Sequence, residues 1–259
     1  MVDEDVLKIG PGGTLSGSLV VPGDKSISHR AVMMAALSDG TSRITGCLMS
    51  EDVRSTINAF RILGVEIYES GDNEIVVEGV GVDGLLQPKQ SIDLGNSGTS
   101  MRLLCGILAG AGLSATLTGD SSLCSRPMER IVAPLRLMGA EILGQSETKP
   151  PLVVEQNRGL VGVTYEMTIA SAQVKSALIL AGLYAKGVTC VFEPSVSRDH
   201  TERMLGAYGA DMKVSEGRVS LSPVEQLVPP TNEVMSIPSD FSSAAFFIVL
   251  DLITPSSDV

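Results

Sequence analysis

The sequence predicts an α/β (α+β) fold in which one unit of helices and strands is repeated along the chain. The segments LGVEI, MGAEI and YGADM begin at residues 63, 138 and 208, and in each a glycine separates a helical pattern from a strand pattern. Their spacing of roughly 70 to 75 residues is typical of a repeated structural unit. Small-residue helical patterns and short β-branched patterns alternate between these anchors. With 259 residues, of which 44% are hydrophobic, the chain can bury a large core.

Each unit begins with a polar turn that contains serine and leads into a helix rich in small residues. A glycine ends that helix, a β-branched strand follows, and a second, amphipathic helix precedes two more strands. One unit therefore has the order turn, helix, strand, helix, strand, strand. The first helices are predicted within 23–37, 95–110, 170–183 and 238–253, the strands after them within 40–46, 113–119 and 187–193, and the second helices within 51–64, 126–139 and 199–209.

The repeat is unfinished at its fourth copy, which contains only a first helix and the beginning of a strand. An unpaired strand edge and a half-covered apolar helix are costly in an isolated domain. Two interpretations follow, namely that the chain is a fragment or that a partner chain supplies the rest. The alternative is a complete protein with a short C-terminal appendage.

The stretch VPGDKSISHR, residues 21–30, places glycine, lysine and serine together after an apolar run. A nucleotide-binding P-loop requires a glycine directly before the lysine, whereas Asp24 lies between Gly23 and Lys25. The stretch instead predicts a strand over 17–21, a Pro-Gly turn, and a helix that begins at Lys25 or Ser26. The free amides at such a helix start favour an anion.

The composition argues against several classes of function. A formal net charge of -11 disfavours nucleic acid or an anionic membrane as a partner. Four cysteines without a C-x-x-C pair predict reduced thiols, and the acidic N-terminus carries no export signal, so we expect a cytoplasmic protein. His29 and His200 are the two histidines and do not have metal-ligand spacing, so we expect no metal site.

Cationic residues recur near the starts of the predicted helices. If the repeats pack around a pseudo-threefold axis, these starts point to one end of the domain and their charges meet there. The planar fork of arginine binds two oxygens of a phosphate or carboxylate, whereas lysine acts as a compact point charge. The implied ligand carries more than one anionic group. The residues concerned are Lys25, Arg30, Arg126, Lys175 and Arg198.

Four motifs in a fixed order resemble the 5-enolpyruvylshikimate-3-phosphate synthases, and the likeness runs from about residue 13 to the end of the chain. The motifs are PGDKSISHRA, LGNSGTSMRLL, LTGDSSLCSRPMERIVAPLRLMGAEI and SAQVKSALILAGL. The resemblance implies an enolpyruvyl transferase fold with two domains, each an inside-out α/β barrel of three βαβαββ units. The first domain would be complete at 22–237, and 1–21 and 238–259 would belong to a truncated second domain of a full chain of roughly 430 residues.

The resemblance also implies a reaction, the transfer of the enolpyruvyl group of phosphoenolpyruvate to the 5-hydroxyl of shikimate 3-phosphate with release of phosphate. It implies no metal or organic cofactor, a monomeric full enzyme, and a glyphosate target in which Gly98 matches the sensitive pattern. Lys25 would be catalytic and would contact both substrates. Shikimate 3-phosphate would also contact Ser26, Arg30, Ser171, Ala172, Gln173 and Arg198, and phosphoenolpyruvate would also contact Asn96, Gly98, Arg126 and Gln173.

The chain departs from the family pattern in two ways. Ala172 stands where many members carry a second serine, which removes one hydroxyl contact without predicting a loss of function. The acidic catalytic residues and the remaining phosphoenolpyruvate-binding arginines of the family would lie in the missing C-terminal half. We therefore expect the chain alone to bind weakly and to have little or no activity.

Two other functions compete with this interpretation. An enolpyruvyl transferase that acts on a nucleotide sugar would share the fold, but no cysteine lies in an obvious mobile loop and the motifs match the shikimate enzymes closely. A non-catalytic phosphate-binding or interaction module would use the same basic residues to hold an anion or a partner. Phosphate release after addition of the missing half distinguishes the enzyme from the module.

Overall fold

The computed structural model describes residues 13, 15–71, 73–146, 148–230, 234–254 and 257, and its elements follow the predicted repeat. The first unit contains α1 (Lys25–Ala36), β1 (Asp39–Thr45), α2 (Glu51–Ile62), β2 (Glu66–Glu69) and β3 (Ile75–Val80). The second contains β4 (Ile92–Asp93), α3 (Gly98–Ala111), β5 (Ala115–Thr118), α4 (Ser121–Ser125), α5 (Glu129–Leu137), β6 (Glu141–Gly144) and β7 (Leu152–Glu155). The third contains β8 (Thr164–Glu166), α6 (Ala172–Gly182), β9 (Thr189–Phe192), α7 (His200–Ala207), β10 (Met212–Ser215) and β11 (Arg218–Leu221), and β12 (Val234–Ser236) and α8 (Phe241–Ile253) follow.

Three four-stranded sheets have the same strand order. The second unit forms the sheet β4-β5-β7-β6 and the third forms β8-β9-β11-β10, and in both the first two strands are parallel while the other pairs are antiparallel. Each complete unit is therefore βαβαββ, as the repeat predicts. The short amphipathic strands bury alternate residues, which leaves one face of each sheet for the core.

The sheet of the first unit is completed by a strand from much later in the chain. Its order is β12-β1-β3-β2, and β12 lies parallel to β1 with Arg43 opposite Val234 and Thr45 opposite Ser236. β12 thus occupies the place that β4 and β8 occupy in the other two sheets. Residues 234–236 therefore complete the sheet of the first unit.

The first helix of each unit lies in the interior, with the sheets outside. α1, α3 and α6 bury most of their residues, and α3 packs along α6. Gly106 permits this close contact, because a Cβ at that position would lie 2.2 Å from the carbonyl oxygen of Ala177. The small residues in these helices therefore serve helix packing, and the fold is the inside-out α/β barrel of the prediction.

The predicted strand over 17–21 is wrong. The structure assigns no strand to these residues, and Val20 is 94% exposed. A strand needs a neighbouring strand for its backbone hydrogen bonds, and the first sheet consists of β12, β1, β3 and β2 without residues 17–21. The neighbouring residues instead pair with the segment before α8, where Asp24 N donates to Pro238 O and Asp240 N donates to Pro22 O.

α8 buries none of its residues in the described part of the chain, and Phe246 is 79% exposed. Its apolar side chains and Leu19 border a cavity of about 330 Å³. Within the described residues, no helix has the length and apolar character needed to cross a membrane. The limits of the first domain at residues 22 and 237 stay a prediction.

Candidate active site

Three equivalent helix starts define one end of the barrel. Asp24, Ser97 and Ser171 are the N-caps of α1, α3 and α6, and each side chain accepts a hydrogen bond from the amide three residues later. In each helix, the cap satisfies one backbone N–H group of the first turn that would otherwise have no partner. Because the caps are equivalent, the residues that follow each cap occupy equivalent places, as the repeat predicts.

The cap of α1 occupies one of the amides that the sequence predicts to be free at this helix start. The Asp24 carboxylate accepts from Ile27 N at 2.8 Å, so an acidic group already occupies the first turn. The Asp24 carboxylate therefore uses the Ile27 amide and adds a negative charge beside the start of α1. The prediction that this helix begins at Lys25 or Ser26 is confirmed, since α1 begins at Lys25.

Arg30 joins the first and third units. Its side chain is buried, and its Nε donates to Thr201 Oγ1 at 2.7 Å while its Nη2 donates to Ser176 Oγ at 2.8 Å. Its Nη1 donates to the carbonyl oxygen of Ser26 at 2.9 Å, and Arg198 Nη1 lies 3.3 Å from Ser26 Oγ. The structure therefore brings together Ser26, Arg30 and Arg198, three of the predicted shikimate 3-phosphate residues.

Arg30 keeps its charge in this environment. Burial lowers its pKa to about 10, and the charge of Glu202 acts against that fall. A pKa near 10 leaves the guanidinium protonated at neutral pH. Arg30 forms no ion pair within 4 Å with any described carboxylate.

A second basic cluster surrounds Arg126 at the start of the second unit. Arg126 Nη2 donates to Asn96 Oδ1 at 2.6 Å, and Asn96 Nδ2 donates to Asp120 Oδ2 at 2.7 Å. A Cβ on Gly98 would lie 3.0 Å from Arg126 Nη1, so the backbone and the guanidinium are close. The predicted phosphoenolpyruvate residues Asn96, Gly98 and Arg126 therefore lie together.

Arg102 and Arg130 belong to the same cluster, and the sequence analysis missed them. Together with Arg126, Ser171 and Gln173 they line a cavity of about 270 Å³. The pKa of Arg102 is lowered by burial first and then by the charges of Arg126 and Arg130. None of the three arginines forms an ion pair with a described residue, so the cavity carries uncompensated positive charge. A signal was present for Arg102, which follows Gly98 by four residues on α3 and so shares its side of the helix, whereas Arg126 lies before α5 and has no helical spacing to Arg130.

Gln173 connects the second and third units at this end of the barrel. Its Nε2 donates to Thr99 Oγ1 at 3.1 Å, and Thr99 is a further residue that sequence reasoning missed. Ala172 is the first residue of α6, and its carbonyl oxygen accepts from Ser176 Oγ at 2.6 Å. Ser171, Ala172 and Gln173 therefore form a turn that reaches toward both basic clusters.

Lys25 lies at the start of α1 and forms an ion pair with Asp52 of α2. Its side chain is 47% exposed, so the ammonium is accessible while the carboxylate orients it. An exposed pair of this kind is weak and can exchange partners when an anionic ligand arrives. The position leaves the ammonium open to an anionic ligand.

Lys175 does not belong to the anion-binding cations, which corrects one part of the sequence analysis. Its side chain is 1% exposed, and Nζ lies 2.8 Å from Glu193 Oε1 and 2.6 Å from Glu202 Oε1. Its buried side chain is directed toward Glu193, which follows β9, and toward Glu202 of α7. Two carboxylates from distant segments compensate its buried charge.

His29 is a packing residue. Its ring is fully buried, and its Nδ1 lies 2.7 Å from Thr56 Oγ1, which in turn lies 2.6 Å from Ser100 Oγ. These contacts join the first helices of two units through a chain of hydroxyl groups. Burial lowers the pKa of His29 to about 3, with the charge of Asp52 acting in the opposite direction.

This pKa predicts an acid-dependent loss of stability. The folded protein keeps His29 neutral down to about pH 3, whereas the unfolded chain binds a proton below about pH 6.5. The contribution of neutral His29 to the free energy of unfolding is complete above about pH 6.5. It decreases as the pH is lowered, by about 2 kcal/mol at pH 5. We expect His29→Gln to remove this component. Urea unfolding of both proteins at pH 7 and pH 5 measures the difference, and equal pH dependences would contradict the assignment.

The chain resembles known proteins along nearly its whole length. The family model for EPSP synthase (3-phosphoshikimate 1-carboxyvinyltransferase) matches residues 9–259. The 3-phosphoshikimate 1-carboxyvinyltransferase of Xanthomonas campestris pv. campestris (strain B100) is 52% identical over 248 residues, which cover 96% of this chain and 56% of the relative. That of Methylococcus capsulatus is 48% identical and covers 100% of this chain and 59% of the relative.

Solved structures agree with the sequence relatives. A structure of EPSP synthase from Acinetobacter baumannii aligns with a TM-score of 0.88 and 46% identity over 95% of this chain and 55% of that chain. The chain thus spans a little over half the length of the proteins it resembles. The motif resemblance and the fold prediction are confirmed, and the chain belongs to the EPSP synthase family.

Proposed function

We propose that this chain provides the shikimate 3-phosphate-binding domain of a 3-phosphoshikimate 1-carboxyvinyltransferase. The observation that carries the proposal is the convergence of two groups of cations at one end of the barrel. Arg30 and Arg198 form one group, and Arg102, Arg126 and Arg130 form the other. Both groups lack carboxylate partners within ion-pair distance among the described residues. Such a site fits a pair of substrates that carry two phosphates and a carboxylate.

The residues divide between the substrates by the group that each can recognise. Ser26, Arg30, Ser171, Ala172, Gln173 and Arg198 would hold shikimate 3-phosphate. Asn96, Gly98, Arg126 and Gln173 would hold phosphoenolpyruvate, with Arg102 as an additional cation near its charged groups. Lys25 would leave Asp52 and contact both ligands, and Thr99 would orient Gln173 through their hydrogen bond.

The reaction proceeds by addition and elimination. The 5-hydroxyl oxygen of shikimate 3-phosphate bonds to C2 of phosphoenolpyruvate and gives its proton to a base, while an acid protonates the C3 methylene to a methyl group. The tetrahedral intermediate then loses a methyl proton and breaks its C2–O bond to phosphate. The products are the enolpyruvyl ether and inorganic phosphate. Fixed cations stabilise the anionic charge, and the acid and base move the protons.

The acid and base would come from a second domain, for which the greater length of the relatives leaves room. Residues 22–237 would form the first domain, and α8 with 18–21 would contribute to the second, whose remainder would be the main partner of this chain. We further propose a monomeric assembled enzyme that acts in the cytoplasm, needs no metal or organic cofactor and is a glyphosate target.

Reassembly tests the proposed function. The remaining C-terminal part of the Xanthomonas relative is added as a second chain, and phosphate release is measured with both substrates and with each alone. We expect release only when both chains and both substrates are present. The enzyme assignment fails if both chains are folded and associated but no phosphate appears. Binding of shikimate 3-phosphate without turnover in that assembly would instead support a non-catalytic phosphate-binding module.

The close approach at Gly98 predicts a selective loss of phosphoenolpyruvate affinity in Gly98→Ala. The new Cβ would lie 2.6 Å from Arg102 Nη1 and 3.0 Å from Arg126 Nη1, and both guanidinium groups would have to move. We expect the KM for phosphoenolpyruvate to rise about tenfold, which corresponds to the loss of one charge-assisted hydrogen bond. The KM for shikimate 3-phosphate should change little.

Steady-state kinetics of the reassembled enzyme measure both constants. Gly206→Ala is the matched control, because a Cβ at this helical glycine meets no atom within 4 Å. An equal rise of both KM values in Gly98→Ala would show general damage instead of a local effect on the Arg102 and Arg126 cluster.

A further inference from the structure

We propose that Lys175 is a positioning residue that neutralises Glu202 and thereby leaves Arg30 free to bind the phosphate group of shikimate 3-phosphate. The inference rests on the proposed function for the identity of the ligand. Lys175 itself does not reach the open end of the barrel, since its side chain is 1% exposed. Its effect would pass through the buried charges that surround Arg30.

The buried ion cluster consists of Lys175, Glu193 and Glu202. The side chains of Glu193 and Glu202 are 4% and 2% exposed, and both carboxylates lie within 2.8 Å of Lys175 Nζ. Glu193 also accepts hydrogen bonds, from Lys175 Nζ and from Ser197 Oγ. Burial raises the pKa of Glu193, but these hydrogen bonds outweigh burial and keep its pKa below the usual value.

Glu202 has weaker support than Glu193. Neither of its oxygens has a hydrogen-bond partner of favourable geometry among the described residues, so its short contact with Lys175 Nζ is an ion pair without a directed hydrogen bond. Lys175 is therefore its principal compensation. A buried carboxylate that loses such a partner either takes up a proton or attracts another cation.

Arg30 is the cation placed to respond if Glu202 loses Lys175 as its partner. Thr201 accepts from Arg30 Nε and is the residue directly before Glu202, and the charge of Glu202 already acts on the Arg30 guanidinium. Four buried charged groups thus form a balanced set, with Lys175 and Arg30 opposite Glu193 and Glu202. Because Lys175 pairs with both carboxylates, Arg30 can use its donors for hydroxyl and carbonyl oxygens and retain its charge for a ligand.

Two double variants separate this role from a general packing role. Lys175→Met/Glu193→Gln leaves Glu202 without its ion-pair partner and with its charge acting on Arg30, whereas Lys175→Met/Glu202→Gln removes the carboxylate that would attract Arg30. The two variants remove the same number of positive and negative charges from the same buried cluster. We expect shikimate 3-phosphate affinity to fall about tenfold in the first, the value of a charge-assisted hydrogen bond, and to stay within about threefold in the second.

Isothermal titration of the chain with shikimate 3-phosphate provides the first measurement, and circular dichroism confirms that each variant is folded. Arg54→Met/Glu69→Gln is a control that removes an exposed ion pair away from the barrel interior. If a variant unfolds in buffer, the comparison is made in sucrose, which favours the folded state. Equal affinity in the two Lys175 variants would overturn the proposal, whether both are weakened or neither is.

A second measurement does not require the substrate. The Arg30 Nε–H signal in ¹⁵N spectra reports the hydrogen bond to Thr201, and we expect its position to change in Lys175→Met/Glu193→Gln but not in Lys175→Met/Glu202→Gln. If the unmodified chain does not bind shikimate 3-phosphate, the ligand assignment fails while this spectrum still decides the role of Lys175. An unchanged signal in both variants would contradict that role.

Discussion

Replacing Arg30 by methionine is expected to weaken shikimate 3-phosphate binding by about a hundredfold or more, because two charge-assisted hydrogen bonds are lost together. The guanidinium is the buried cation at the junction of the first and third units, and three protein oxygens fix its orientation. A preorganised arginine loses little conformational entropy when a phosphate binds. Lys175, the other buried cation among the described residues, is paired with Glu193 and Glu202, so it cannot replace Arg30.

Titration calorimetry of the chain, or the KM of the reassembled enzyme, measures this effect. Arg203→Met provides the control, since Arg203 lies on α7 near the same site but is 77% exposed and pairs only with Asp199. Arg30→Lys is expected to recover a minor part of the affinity, because an ammonium keeps the charge but cannot reproduce the fork of three contacts. Affinity within about threefold of the original protein would show that the phosphate binds elsewhere.

Replacing Lys175 by methionine alone is expected to reduce the free energy of unfolding by about 3 to 5 kcal/mol, the usual effect of removing one partner from a buried ion pair. Two carboxylates would stay in the interior with one cation fewer, and Glu202 has no hydrogen bond of good geometry to replace the ion pair. The loss of the aliphatic part of lysine is small, because methionine has a similar length and apolar character.

Urea unfolding at neutral pH measures the change. Lys213→Met is the comparison, because Lys213 lies on β10 with an exposed side chain. The stability deficit of Lys175→Met should shrink when the pH is lowered toward the range where carboxylates protonate, since protonation removes the unpaired charges. A deficit below about 1 kcal/mol would mean that the two glutamates are compensated by other groups.

The sequence predicts local structure well because the signals that determine it are local. Helix caps at Asp24, Ser97 and Ser171 and the glycines after the helices fix the boundaries of the repeated elements. The predicted strand over 17–21 failed for the opposite reason. Its pattern is that of a strand, but strand formation depends on a neighbouring strand, and that information is not contained in the segment itself.

The site shows the same division between local and distant information. Lys175 and Arg30 both lie near helix starts, and the sequence analysis grouped them by that position. Their functions differ because Glu193 and Glu202 approach Lys175 from other parts of the third unit, a contact that depends on the folded structure. Arg102 could have been found from its helical spacing to Gly98, whereas the position of Arg130 beside it became visible only in three dimensions.

The pairing of β12 with β1 has a consequence for the order of folding during synthesis. The second and third sheets draw all their strands from adjacent sequence, so each can assemble soon after its own unit leaves the ribosome. The first sheet cannot do so, because its outer strand is Val234–Ser236 and is made long after the other three. The first unit is therefore the last of the three to complete its hydrogen bonding, and until then β1 presents an open edge to the nascent chain.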